Sequence, residues 1–183
     1  MNILPTSISG LMVVETMPIA DRRGAFSRLF CDQALNALIG HREIVQINHS
    51  RTVNVGAVRG MHFQYSPHAE MKLVRCLKGR VWDVAVDLRY RSPTFLQWHA
   101  EELTPNNGRM MVIPEGFAHG FQVLEPDSEL LYLHTAPYTP SAEGGLLHSD
   151  PKLGIYWPLN VTDLSERDAA HPLINEAFQG VSV

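Results

Sequence analysis

Cysteine is almost missing from this chain. Cys31 and Cys76 are the only two among 183 residues, and neither sits in a C-x-x-C pair. Such usage excludes a disulfide framework and a thiolate zinc cluster. Long apolar runs are missing as well: no stretch comes near the roughly 18 residues of a membrane-spanning helix, and the first residues lack a basic region followed by an apolar one. These absences predict a reduced, cytoplasmic protein with no membrane partner. Positive charge is scarce, with 15 Lys and Arg against 19 Asp and Glu and a net charge of -4. No basic field is available to hold a nucleic acid, so none is expected as a partner. What remains, 45% hydrophobic and 19% charged residues, is the make-up of a folded globular chain. The length supports one core, and with no repeat, low-complexity tract or linker, residues 1–183 read as one domain.

Turn signals punctuate the chain at short intervals, among them Asp21-Arg22-Arg23-Gly24, Lys78-Gly79, Pro105-Asn106-Asn107-Gly108 and Pro114-Glu115-Gly116. Between them lie short segments with β-branched and aromatic residues, at 72–78, 81–88, 109–113 and 129–135. Many short strands at this spacing predict an all-β sandwich or jelly roll. One helix is expected over 33–39, with Asp32 capping its start and Gly40 ending it. Residues 137–158, rich in Pro, Gly and Ser, read as an irregular surface run.

Alternate residues of a strand share a face, which sorts the polar side chains. Gln46 goes with Asn48, His62 with Gln64, Tyr132 with Leu130 and His134, and Lys72 with Val74 and Cys76. Strand faces this polar either look out to water or line a polar cavity. Arg59 and His62 have opposite parity, so both reach one pocket only if Gly60 bends or bulges the strand.

The segment Arg59-Gly60-Met61-His62-Phe63-Gln64, followed by Lys72 and by Pro114-Glu115-Gly116-Phe117-Ala118-His119-Gly120-Phe121, carries the chemistry. His62 is the best candidate base, because its pKa class lies near neutrality. A buried aspartate on its ring would orient it, and Asp83, Asp87, Asp150, Asp163 and Asp168 are all candidates. Proton abstraction beside a carbonyl also needs a fixed cation for the enolate, which Lys72 can supply. Inversion then needs a donor on the opposite face, and the Tyr132 phenol, neutral at pH 7, is suited to it. A metal reading would use His62, Glu70 and His119, but Gln64 stands where a second imidazole would be wanted, so no metal is expected.

Several motifs together resemble the dTDP-4-dehydrorhamnose 3,5-epimerase family, a metal-free branch of the cupins. They are Asp21-Arg22-Arg23-Gly24-Ala25-Phe26, Val45-Gln46-Ile47-Asn48-His49-Ser50, the Arg59–Gln64 segment, Lys72-Leu73-Val74-Arg75, Ser92-Pro93-Thr94-Phe95, Ile113–Phe121 and Leu164-Ser165-Glu166-Arg167-Asp168. The resemblance runs from about Ile8 to Leu173 and implies a cupin-type jelly roll with one or two short helices, acting on a nucleotide-linked 4-keto-6-deoxy sugar without a cofactor. It implies His62 as base, Asp168 as its partner, Tyr132 as the opposing acid and Lys72 as the enolate clamp. Arg23, Phe26, Gln46 and Asn48 fall where the family binds sugar nucleotide, as do Arg59, His119, Tyr138 and Glu143, with Tyr138 stacking on the base. A homodimer that exchanges N-terminal strands is implied too. The 3,4-ketoisomerases are also cupins, but Tyr132 together with Asp168 favours epimerisation; a cupin that only binds sugar or nucleotide would dispense with His62, Tyr132 or Lys72. Arg28 replaces a glutamate that contacts the thymine ring in the family. Arginine only donates, and suits a base edge rich in acceptors, such as that of cytosine. Arg167 replaces a lysine and keeps the phosphate-binding charge, while Glu70 stands where small or amide residues are common.

Overall fold

Branched and aromatic residues in short runs, cut by Gly, Pro and Asn turns, fold here as thirteen strands. The computed structural model describes residues 1–183. The strands are β1 (Asn2–Pro5), β2 (Met12–Glu15), β3 (Ile19–Asp21), β4 (Gly24–Phe26), β5 (Gln46–Thr52), β6 (Val58–Gln64) and β7 (Lys72–Lys78). They continue with β8 (Val81–Asp87), β9 (Trp98–Leu103), β10 (Arg109–Ile113), β11 (Phe117–Val123), β12 (Ser128–His134) and β13 (Glu143–Gly145). Two short helices accompany them, α1 (Asp32–Ile39) and α2 (Glu166–Ala169).

Six strands form one antiparallel sheet in the order β1-β2-β10-β7-β12-β5, and five form a second in the order β13-β6-β11-β8-β9. The strands cross between the two sheets in jelly-roll fashion, as expected for a cupin. Val74, Cys76, Met111 and Leu130 of the first sheet meet Ala85, Phe117, Phe121 and Val123 of the second, filling one part of the interior with apolar side chains. Each outer face is also covered. Leu35 and Ile39, four apart on α1, pack on Val14, Leu73, Met110 and Leu133, each burial contributing about 1.5–3 kcal/mol. The C-terminal segment lays Leu153, Ile174 and Val181 over Met61, Val84 and Ala118.

Two local expectations need correction. Asp32 does not cap α1; Cys31 holds the cap position and Asp32 is the first helical residue. Its carboxylate still favours the positive end of the helix dipole. Gly40 does end the helix at φ 60°, its N–H donating to the Asn36 carbonyl at 2.8 Å. The 137–158 run is not wholly irregular, because a 3-10 turn at Pro140–Ala142 leads into β13, which pairs with β6. Glycine permits that pairing: a Cβ at Gly144 would lie 2.5 Å from the Phe63 ring, and one at Gly145 would lie 2.1 Å from the His171 ring.

The bulge anticipated at Gly60 is present. His62 pairs with His119 and Arg59 with Phe121, so three steps on β6 oppose two on β11. Gly60 has φ 126°, and a Cβ there would meet the Gly120 Cα at 2.5 Å. No helix is long and apolar enough to cross a membrane.

Candidate active site

The polar strand faces turn inward. They line a cavity of about 840 Å³ between the two sheets. Asn48, Ser50 and Thr52 enter it from β5, Lys72 from β7, and Tyr132 and His134 from β12. Arg59 and His62 come from β6, His119 and Phe121 from β11, and the segment 163–168 closes one side.

The four residues of α2 are positioned by a cap. Ser165 accepts the Asp168 N–H at 3.1 Å, which turns the Asp168 carboxylate back toward β6. There it accepts from His62 Nε2 at 2.7 Å and from the Gly60 N–H at 3.1 Å. Asp168 is only 2% exposed. Burial by itself would raise its pKa, but the hydrogen bonds from His62 and Gly60 outweigh that and hold the carboxyl far below the usual range. An ionised carboxylate at 2.7 Å assigns the Nε2 proton to His62 and leaves the lone pair on Nδ1. A His–Asp pair so arranged can take a proton and stabilise the resulting imidazolium.

Tyr132 is set for the opposite task. Burial drives its pKa well above the ordinary phenol range, so the hydroxyl stays protonated, and it lies 2.9 Å from Ser50 Oγ. Beside it, His119 Nε2 bonds Asp83 Oδ1 at 2.8 Å, and Asp83 is wholly buried. Desolvation raises the Asp83 carboxyl, with the charge of His119 opposing.

Lys72 is not a free cation. Its Nζ lies 3.1 Å from Glu70 Oε1, and Glu70 Oε2 lies 2.6 Å from His134 Nδ1. Desolvation would raise the Glu70 carboxyl, yet its bonds to His134 and Lys72 bring it below its ordinary value. Glu70, considered from the sequence only as a metal ligand, instead bridges a lysine and a histidine. From His134 the network continues through Asn48, at 3.3 Å, to Gln46 and the Tyr138 backbone N–H. Tyr138 donates to Glu143 at 3.0 Å, and Glu143 pairs with Arg167, whose Nε lies 3.5 Å from Asp168 Oδ1, the partner of His62. A polar ring thus runs along the cavity rim from Lys72 to His62.

Of the residues singled out from sequence, His62, Lys72, Tyr132, Asp168, Asn48, Arg59, His119 and Arg167 line the cavity. Gln46, Tyr138 and Glu143 stand in the rim network. Arg23, Phe26 and Arg28 do not reach it. Arg23 pairs with Asp21 in solvent, Phe26 is 65% exposed, and Arg28 faces a separate hollow beside Met1, Glu15 and Thr16. Gln64 is spent on the loop, donating to the His68 and Pro137 carbonyls and accepting from the Thr139 N–H. The trio His62, Glu70 and His119 does not assemble as metal ligands, since Glu70 is engaged by Lys72 and His134 and His119 by Asp83.

The fold and its cavity define a cupin-type jelly roll equipped for proton transfer. The model of the dTDP-4-dehydrorhamnose 3,5-epimerase family matches residues 5–176, and the chain belongs to that family. A dTDP-4-dehydrorhamnose 3,5-epimerase of Salmonella typhimurium is 44% identical over 180 residues, covering 97% of this chain and 98% of its own. A dTDP-6-deoxy-D-glucose-3,5-epimerase of Legionella pneumophila, solved with dTDP-4-keto-L-rhamnose, is 40% identical with a TM-score of 0.92, covering 100% of this chain and 98% of its own. A 3'-monoepimerase of Streptomyces bikiniensis, solved with dTDP-quinovose, is 31% identical with a TM-score of 0.87, over 93% of this chain and 86% of its own.

Proposed function

We propose that the chain converts dTDP-4-dehydro-6-deoxy-D-glucose to dTDP-4-dehydro-L-rhamnose, inverting C5 and C3 by proton transfer. One observation carries this: His62 paired to Asp168, Lys72 and the neutral phenol of Tyr132 all face one cavity in a member of this family. The C4 ketone acidifies the hydrogens on both neighbouring carbons. His62 Nδ1 takes the proton, Asp168 stabilises the imidazolium, and Lys72, held in place by Glu70, turns another of its N–H donors to the enolate oxygen. Tyr132 then returns a proton from the other face. Arg59 and Arg167 hold the diphosphate, Asn48 and His119 the sugar, and Tyr138 and Glu143 the nucleoside end.

The working unit in this reading is a homodimer. The β3–β4 hairpin projects with Met17, Ile19 and Phe26 between 65% and 80% exposed, and an isolated two-stranded hairpin is marginal in water. β5 is a sheet edge whose neighbourhood exposes Val45, Ile47 and Val53. Exchange of hairpins between two copies covers both patches and delivers Arg23, Phe26 and Arg28 to the neighbouring cavity. Arg28 favours a second reading of the nucleotide, because it meets an acceptor-rich base such as cytosine better than thymine.

Proton NMR in deuterium oxide on dTDP- and CDP-linked 4-keto-6-deoxyglucose tests the proposal. Deuterium should enter C3 and C5 of the dTDP sugar. Exchange confined to the CDP sugar would transfer the assignment to the second reading, and exchange on neither would overturn both.

A further inference from the structure

His171 takes no part in the proton transfer, yet it lies against the base. Its Nε2 is buried and has no hydrogen-bond partner. Asp168 Oδ1 lies 4.0 Å from it, too far for a hydrogen bond. The ring cannot drift far, because it packs on Gly145, where a Cβ would stand 2.1 Å from its Cε1 and Nε2. His62 and His171 meet edge to face with centroids 6.1 Å apart. The ligand atoms of His62, Asp168 and His171 all fall within 4.8 Å of one another, the one such trio of His, Cys, Asp or Glu in the chain.

We propose that His62, Asp168 and His171 form a site for a borderline transition-metal ion such as Zn²⁺, and that its occupation shuts the enzyme off. Two imidazoles and a carboxylate are a recognised zinc set, with a fourth position left to water. Tetrahedral bonds of about 2.0–2.1 Å put ligand atoms about 3.4 Å apart. The His62–Asp168 pair at 2.7 Å opens slightly and the His171–Asp168 pair at 4.0 Å closes slightly to reach that spacing.

The consequence for the base is specific. The metal accepts the Nε2 lone pair of His62, so the single proton of the neutral ring moves from Nε2 to Nδ1. Nδ1 is the atom that receives the substrate proton, and it is then occupied. Arg167 opposes the ion, with Nη2 3.2 Å from His62 Nε2 and Nε 3.5 Å from Asp168 Oδ1, but its side chain is 54% exposed and is already anchored away from the trio by Glu143, 3.0 Å from Nη1. The loss of turnover rests on His62 being the base; the binding of metal does not.

Calorimetry of the chelator-treated full chain with Zn²⁺, and visible absorption with Co²⁺, read the site without any substrate. One ion per chain should bind, and the Co²⁺ form should show the intense bands of a four- or five-coordinate ion. Deuterium exchange into the dTDP sugar should stop with Zn²⁺ and return with EDTA. His171→Ala, and His171→Phe, which keeps a ring on Gly145, should retain metal-free turnover and weaken binding at least about tenfold, the lower bound for loss of a group supporting a metal. Absence of binding, or equal binding by wild type and both variants, overturns the proposal. Binding that depends on His171 while the wild type shows no epimerisation upholds the metal site and overturns the base assignment alone.

Discussion

Asp168→Asn isolates what the carboxylate does for the base. The side chain is 2% exposed and serves two donors, His62 Nε2 at 2.7 Å and the Gly60 N–H at 3.1 Å. A carboxylate accepts both, but an amide has one oxygen. If that oxygen stays on Gly60, the amide NH2 faces His62 Nε2 and forces the proton onto Nδ1, the wrong tautomer. If it stays on His62, the Gly60 N–H is left buried against another donor, at about 1–3 kcal/mol. Loss of a hydrogen bond to a charged group costs about 1.5–3 kcal/mol, which at about 1.4 kcal/mol per decade is a rate loss of roughly 10–150-fold. The wrong tautomer extends the loss toward about 10⁴-fold, the effect known for a comparable His–Asp pair. Turnover, followed by deuterium entry at C5, should therefore fall by about 10–10⁴-fold with KM little changed, because Asp168 touches His62 rather than the sugar. Near-native turnover, with the fold verified by urea denaturation, would refute the claim that Asp168 orients and charges the base.

Tyr132→Phe should leave abstraction intact and stop reprotonation from the far face, so NMR should find exchange with retained configuration or a product inverted at C3 alone; full activity would move the acid elsewhere. Arg28→Glu should raise the preference for the dTDP over the CDP sugar by roughly tenfold, the worth of an unpaired buried donor at 1–3 kcal/mol, read by competing the two substrates; indifference would take Arg28 off the base. Asp87, wholly buried, would be raised by desolvation, but hydrogen bonds from Arg89, Ser92 and Thr94 prevail and lower its carboxyl from 3.8 to about 2. A lowered carboxyl stabilises above its unfolded pKa and loses that as pH falls through the folded one, so Asp87→Asn should cost about 2 kcal/mol at pH 7 in urea melts, shrinking below pH 4 toward nothing near pH 2. A gap that ignores pH would contradict the ion-pair account of Asp87.

Local chemistry made much of the fold legible. The runs at 72–78 and 109–113 became β7 and β10 residue for residue, the first stopped by Gly79 and the second held between Gly108 and Pro114. β13 was hidden because Gly144-Gly145 reads as loop, and the reason for glycine there, the Phe63 ring lying where a Cβ would stand, appears only in the fold. Strand parity grouped Tyr132 with His134 and Lys72 with Val74 and Cys76, but whether their polar members meet water or a cavity depends on where the second sheet lies. The bulge at Gly60 was legible because Arg59 and His62 cannot share a pocket without it. The partner of His62 was not, since five aspartates qualified and the one chosen lies 106 residues away. The resemblance to the family named it; parity and spacing had no means to.

The central claim is that His62 removes the substrate proton. Deuterium incorporation at C5 of dTDP-4-dehydro-6-deoxy-D-glucose by His62→Ala, beside wild type, tests it most directly. The account predicts a loss of at least about 10²-fold with the sugar nucleotide still bound, the low end of what a general base supplies. Deuterium entry at C5 near the wild-type rate would contradict it.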